Sequence, residues 1–273
     1  MNFLEKLSKV WKENDTLLCV GLDPDISRIP QHLREFEYPI FEFCKEIVDS
    51  THDLVCAFKP QIAYFSAESA ENQLEMLTTY IKNNYPHIPI ILDSKRGDIG
   101  ATADKYAIEA FKRYQVDAVT VNPYMGYDTA EPFLKYSDKG TILLCRTSNL
   151  GAGDIQDLLV GEKTLYHHIA ELAATKWNKN NNCLLVVGAT WPNQMKEVRD
   201  IVGDMPFLVP GVGAQGGDVE ALIKAGQTEN GTGLIISSSR AVIYASNGID
   251  FADSARNVAK NLRDSINQYR TYV

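Results

Sequence analysis

Apolar residues come in short bursts along this chain, and the bursts recur. Eight stand out: "TLLCVGLD" ending at Asp23, "LVCAFKP" at Pro60, "IPIILDSK" at Lys95, "DAVTVNPY" at Tyr124, "GTILLCRTS" at Ser148, "CLLVVGAT" at Thr190, "PFLVPGVG" at Gly213 and "GLIISSSR" at Arg240. Each is rich in Val, Ile and Leu, too short for a helix of its own, and bounded by turn residues. That is the pattern of a strand buried on both faces of a parallel sheet. Between the bursts the pattern switches to a helical period, as in Ser66 to Asn84, Ala101 to Gln115 and Glu162 to Trp177. The run "TWPNQMKEVRDIV" adds helix punctuation, with Thr190 near the cap and Pro192 in the first turn. The opening "MNFLEKLSKVWKENDT" carries charges throughout its apolar positions and reads as an amphipathic first helix, not a secretory signal.

Eight strand-helix alternations with no linker, low-complexity tract or charge block predict an α/β fold, a (β/α)8 TIM barrel with residues 1–273 as a single domain. A doubly wound open sheet is the alternative, but "VGLDPD" follows the first strand where a dinucleotide fold would carry GxGxxG. In a barrel, all strand ends open on one shared face. The predicted ring there is Asp23, Lys59, Asp93 with Lys95 and Asp98, Asn122, Thr147 with Ser148, Gln215 and Arg240.

Composition narrows the partners. The 273 residues are 45% hydrophobic, enough for a substantial core, and the net charge of -8 with pI near 5.2 argues against a nucleic-acid surface. No apolar run approaches the ~18 residues of a membrane span, so a soluble, cytoplasmic protein is expected. Cys19, Cys44, Cys56, Cys145 and Cys183 form an odd set with no close pair, consistent with buried thiols in a reducing compartment. No cysteine or histidine spacing suits zinc, and adjacent His167 and His168 on a helix pattern do not easily face one metal, so no metal is expected.

Two places carry candidate chemistry. In "DSKRGDIGAT", Asp93, Lys95, Arg96 and Asp98 put four charges in six residues behind the apolar run that begins at Ile88. A solvated strand end would explain any one of them. Asp93 and Lys95 lie two apart, on one face of an extended strand end, and Asp98 can turn back from the loop. With Lys59 from the preceding strand, the set alternates Lys, Asp, Lys, Asp, which keeps all four groups ionised. It can be a structural ion network, or a cationic proton donor beside fixed negative charge. The second place is the end of the chain's barrel. "PGVGAQGGD" has four glycines between Gly211 and Gly217 and feeds a helix beginning near Asp218, while "SSSRAVIYA" adds three hydroxyls and Arg240. After strands 7 and 8 this is the usual phosphate position of a barrel.

The run "DSKRGDIGAT" resembles the D-x-K-x-x-D-I-x-x-T signature of the orotidine 5'-phosphate decarboxylase family, and "RGDIG" is similar to its longer bacterial subgroup. The likeness extends over nearly the whole chain, through "LCVGLDPD", "FKPQIAYF", "VNPYMG", "LLCRTSN", "PGVGAQGGD" and "SSSRAVIYA". It implies a β/α barrel that, without cofactor or metal, converts orotidine 5'-monophosphate to UMP and carbon dioxide, the final step of UMP synthesis. By the same resemblance Lys95 protonates C6, Asp98 sits beside the substrate carboxylate, and Lys59 with Asp93 completes the charged chain. Asp23 and Lys59 meet the ribose, Ser148 the pyrimidine, and Gln215 with Arg240 the phosphate. Asp98 and Thr102 reach into the partner's site, which implies a homodimer with shared active sites. Asn122 is placed at the site by strand geometry, and loops around Gly151 and Gly216 are expected lids. Two positions depart from the pattern: Leu150, where many relatives have proline, and Ser239, where compact members have glycine.

Three other readings remain. A magnesium-dependent sugar-phosphate decarboxylase or aldolase would place an acidic ligand where Lys59 stands. A Schiff-base aldolase would want a lysine near "VVGATWP", which has none. A barrel that binds nucleotide phosphate without turnover is the third, and the intact Lys59, Asp93, Lys95 and Asp98 set speaks against it.

Overall fold

Each of the eight apolar bursts forms a strand. The computed structural model describes residues 1–212 and 218–271. The strands are β1 Leu18–Leu22, β2 Ala57–Pro60, β3 Ile91–Arg96, β4 Ala118–Val121, β5 Gly140–Arg146, β6 Cys183–Val187, β7 Phe207–Pro210 and β8 Leu234–Ser238. They pair in parallel in the order β2-β1-β8-β7-β6-β5-β4-β3. The two ends of that order meet through isolated bridges, Phe58 with Ile90 and Gln61 with Asp93, which close the sheet into a nearly complete barrel. An open doubly wound sheet would have left β2 and β3 apart.

Burial explains the strands' composition. β1, β4 and β6 are buried at every position, so Val, Leu and other apolar or small residues dominate them with no regular polar alternation, and β2, equally buried, carries Lys59. Helices cover the outside. Pro39–Thr51, Glu71–Asn84 and Phe251–Tyr269 each bury a stripe, as Leu74, Leu77 and Ile81 do in the second. The first helix, Phe3–Glu13, begins with a capping box between Asn2 and Glu5 and buries Phe3, Leu7, Val10 and Trp11. The Phe3 N–H donates to the Asp138 carbonyl just before β5, which sets this helix at the end of the barrel opposite the strand tips. Pro192 opens the helix Pro192–Val202, and Asp218 caps Val219–Gly226 by accepting the N–H groups of Glu220 and Ala221.

Three helical expectations need correction. The segment Ser66 to Asn84 is interrupted: a short helix ends at Ser66, Ser69 has φ +52°, and the main helix starts at Glu71. Ala101 to Gln115 is α-helical only to Ile108, and Glu109–Arg113 is a π-turn. Glu162 to Trp177 begins as the second strand of a hairpin, in which Leu159–Val160 pairs with Lys163–Thr164, and becomes helical at Leu165. Gly161, at φ +68°, supplies the left-handed turn that the helical period concealed.

Candidate active site

The strand tips bring the charged groups together at the β2-β3 junction. Lys59, at the end of β2, is 5% exposed, and its Nζ donates to Asp93 Oδ2 at 2.9 Å. Lys95 Nζ donates to the other oxygen, Oδ1, at 2.6 Å. Asp93 is itself buried, and its one carboxylate binds two ammonium groups, the buried Lys59 and the half-exposed Lys95. Burial pushes its carboxyl upward, but the charges of Lys59 and Lys95 outweigh that and hold it well below the ordinary range. At Lys59 burial acts to lower the ammonium's pKa. The Asp93 and Asp23 carboxylates reverse the sign and hold it above its ordinary value.

Asp93 and Lys95 share a face as expected, although the backbone between them is not regular strand. Lys95 has φ +46°, and the β3-β4 register shifts between Leu92 and Arg96. The bulge leaves half of the Lys95 side chain exposed to a cavity of about 630 Å³. Asn122 and Ser148 line that cavity with it, from the ends of β4 and β5, and Leu144, Val186, Tyr166 and Pro210 give it apolar walls. Gly151 and Ala152, in the turn Leu150–Asp154, form part of its rim, so the Gly151 loop stands where a lid would.

Asp98 is the exception. Its carboxylate accepts the next residue's N–H, from Ile99, and makes no ion pair among the described residues. It therefore does not turn back to Lys95 within this chain. Thr102 lies exposed two residues into the helix Gly100–Ile108. Arg96 belongs to another network, with a bidentate contact to Glu109 and its guanidinium 4.5 Å from the Tyr106 ring centroid.

On the other side of the mouth, Asp23 follows β1 with its Oδ1 buried and without a hydrogen-bond partner among the described residues. Its backbone carbonyl accepts from Tyr244 Oη at 3.0 Å, and that tyrosine hydroxyl in turn accepts the Asp25 N–H. Arg240 begins the turn Arg240–Ile243 after β8, exposed and without an ion pair among the described residues. Gln215 and Gly216 lie outside the described residues. Ser239 has a partner in shape: a Cβ built on Gly21 would stand 1.8 Å from Ser239 Oγ, so Gly21 is the space into which that side chain packs. A glycine at 239 would make that space unnecessary, which explains how this chain carries serine there.

Sequence reasoning missed Tyr244, Thr120 and Arg146. Arg146 is 2% exposed at the end of β5, contacts both carboxylate oxygens of Asp157, donates to the Thr147 carbonyl and lies 4.9 Å from the Trp191 ring centroid. It ties the cavity-lining loop to the barrel. A lone arginine within a β-like run was the available signal.

The "Orotidine 5'-phosphate decarboxylase / HUMPS family" model matches residues 16–255. The chain belongs to that family. It is 64% identical over 272 residues to the orotidine 5'-phosphate decarboxylase of Cellvibrio japonicus (strain Ueda107), covering 99% of this chain and 100% of that one. With the enzyme of that name from Janthinobacterium sp. (strain Marseille) the identity is 59%, over 98% of this chain and 99% of the other. Among solved structures, the OMP decarboxylase of Leishmania donovani superposes with a TM-score of 0.86 at 38% identity, over 99% of each chain. Membership at this level makes the chain an enzyme of the carboxy-lyase class and confirms the barrel. Among the described residues no group of three or more His, Cys, Asp and Glu side chains could hold a metal ion, and no helix is long and apolar enough to cross a membrane.

Proposed function

We propose that the chain decarboxylates orotidine 5'-monophosphate to UMP without metal or cofactor, with Lys95 as the proton donor. The observation that carries this reading is the buried Asp93 carboxylate shared between Lys59 and Lys95, with Lys95 lining a cavity of mixed apolar and uncharged polar walls. In the reaction the bond from C6 to the carboxyl carbon breaks, the electron pair stays on C6, and carbon dioxide leaves. No conjugated system takes up that pair, so stabilisation must come from charge placed beforehand. The Lys95 ammonium, held toward the cavity by Asp93, supplies it and then gives its proton to C6. Lys59 stands where a metal-dependent relative would need a carboxylate ligand.

The remaining roles follow the same pose. Asp23 has a buried oxygen to offer the ribose hydroxyls, and Ser148 and Asn122 face the ring from the cavity wall. Arg240 and Gln215 take the phosphate, whose binding energy favours a closed, dry site. Asp98 and Thr102 serve the neighbouring site of a homodimer, a reading supported by the exposure of Thr102 and of the apolar Ile99 and by the absence of an ion pair at the half-buried Asp98 among the described residues. Residues 1–273 act as one domain, and five buried free cysteines suit a cytoplasmic setting.

The test is to follow the orotate chromophore after mixing protein with orotidine 5'-monophosphate, with and without a chelator. Turnover indifferent to chelator is expected. Binding without turnover would leave a nucleotide binder, and neither would point to sugar phosphates with magnesium. Mixing inactive Lys95→Ala and Asp98→Ala dimers should restore partial activity; none would remove the shared site.

A further inference from the structure

We propose that Thr120 is a positioning residue that holds the proton donor in place, an inference that rests on the reading of Lys95 given above. Thr120 lies on β4, is 1% exposed, and uses its one hydroxyl three times. The oxygen accepts the backbone N–H of Ser94 and that of Lys95, each at 3.0 Å, and the hydroxyl donates to Asp93 Oδ1 at 2.9 Å. A hydroxyl has one proton to give and two lone pairs, so the group is fully committed.

These contacts fall where the sheet fails. The β3-β4 register breaks between Leu92 and Arg96, so the ladder leaves the Ser94 and Lys95 N–H groups unserved, and a side chain takes the ladder's place. Ser94 Oγ returns a long contact to the Thr120 carbonyl at 3.5 Å. Lys95 is thereby kept at φ +46°, a conformation that a non-glycine residue adopts only when its surroundings impose it. The same hydroxyl fixes Asp93 Oδ1, the atom to which Lys95 Nζ is bonded. Backbone and counterion of the donor are thus set by one oxygen. Valine has nearly the same shape and would fill the barrel equally well, so packing alone does not call for threonine.

The experiment compares Thr120→Val and Thr120→Ser with wild type by kcat, KM, UMP affinity and the rate at which UMP exchanges its C6 hydrogen with solvent deuterium. Exchange reads proton transfer at C6 apart from decarboxylation. Thr120→Val should lose roughly 10- to 100-fold in both kcat and exchange, as small misplacements of a reacting group do. KM and UMP affinity should stay within about threefold, and Thr120→Ser, which keeps the oxygen, should recover most of the loss. Wild-type kcat in Thr120→Val, equal loss of UMP affinity, or a serine variant as poor as the valine one would each overturn the proposal. If the valine variant does not fold, Thr120→Ala takes its place with the same expectations. Lys95→Ala is measured beside them: turnover there sinks the proton-donor reading itself, whereas a dead Lys95→Ala beside a wild-type Thr120→Val sinks only the role of Thr120.

Discussion

At the ends of β2, β3 and β4, the Asp93 carboxylate receives Lys59, Lys95 and Thr120, whereas across the mouth at β1 and β8 Asp23 Oδ1 and Ser238 Oγ are buried without partners among the described residues and Arg240 stands exposed. The first side is complete without substrate. Two ammonium groups share one carboxylate there, which leaves a net positive charge already in place, so on the proposed reading no reorganisation is needed as charge develops on C6. The second side has polar atoms without a partner among the described residues, a cost when buried that the proposed substrate would offset. On that proposal the contrast separates chemistry from grip: one side fixed in advance, the other finished by ribose and phosphate.

The strongest way to break that separation is Lys95→Ala. Turnover should fall by about 10⁴-fold, with UMP affinity nearly unchanged, in steady-state and titration measurements. A large loss of affinity would mean that the fixed side also grips. Arg240→Ala is the converse, raising KM by roughly 10- to 100-fold, as expected for a charge-assisted hydrogen bond, with a smaller effect on kcat. An unchanged KM would take Arg240 out of the phosphate site.

A smaller effect tests the packing beneath Arg240. Gly21→Ala should destabilise the fold by about 1–3 kcal/mol in denaturant titrations, because the new methyl group meets Ser239 Oγ. Adding Ser239→Gly should return most of that loss. Failure of the second change to help would separate the two residues.

The least effect is expected from pH. Because Asp93 is held below the ordinary carboxyl range, its contribution to stability is present above about pH 4 and is lost as pH falls through its folded value. Lys59, held above its ordinary value, contributes below about pH 10 and loses that contribution as pH rises through its folded value. Asp93→Asn should therefore have a flatter stability profile in acid than wild type. A parallel profile would mean that the carboxylate's surroundings do not favour its charge.

The same contrast shows what a sequence makes legible. Barrel strands announced themselves because burial on both faces selects runs rich in Val, Ile and Leu, and the strand tips then named Lys59, Asp93, Lys95, Asn122 and Ser148. Thr120 was invisible because threonine in "DAVTVNPY" is what any strand might hold. The left-handed turn at Lys95 was equally hidden, since no glycine marks it. Asp98 does not meet Lys95 within this chain, since the N–H of Ile99, one residue away, takes its carboxylate, and closeness along the chain could not show that. The second strand of the hairpin, Lys163–Thr164, was absorbed into the helix read from Glu162, because two exposed residues are too few to show a strand period of their own.

The barrel's closure has one further consequence. Every other neighbouring pair of strands is joined by a ladder, but β2 and β3 meet through the isolated bridges at Phe58 and Gln61, and the Lys59-Asp93 ion pair spans that same joint. The pair is therefore a fastener as well as a part of the proposed catalytic set. If the barrel breathes, it should part first along this line, and each opening would disarm the catalyst before it unfolded the protein.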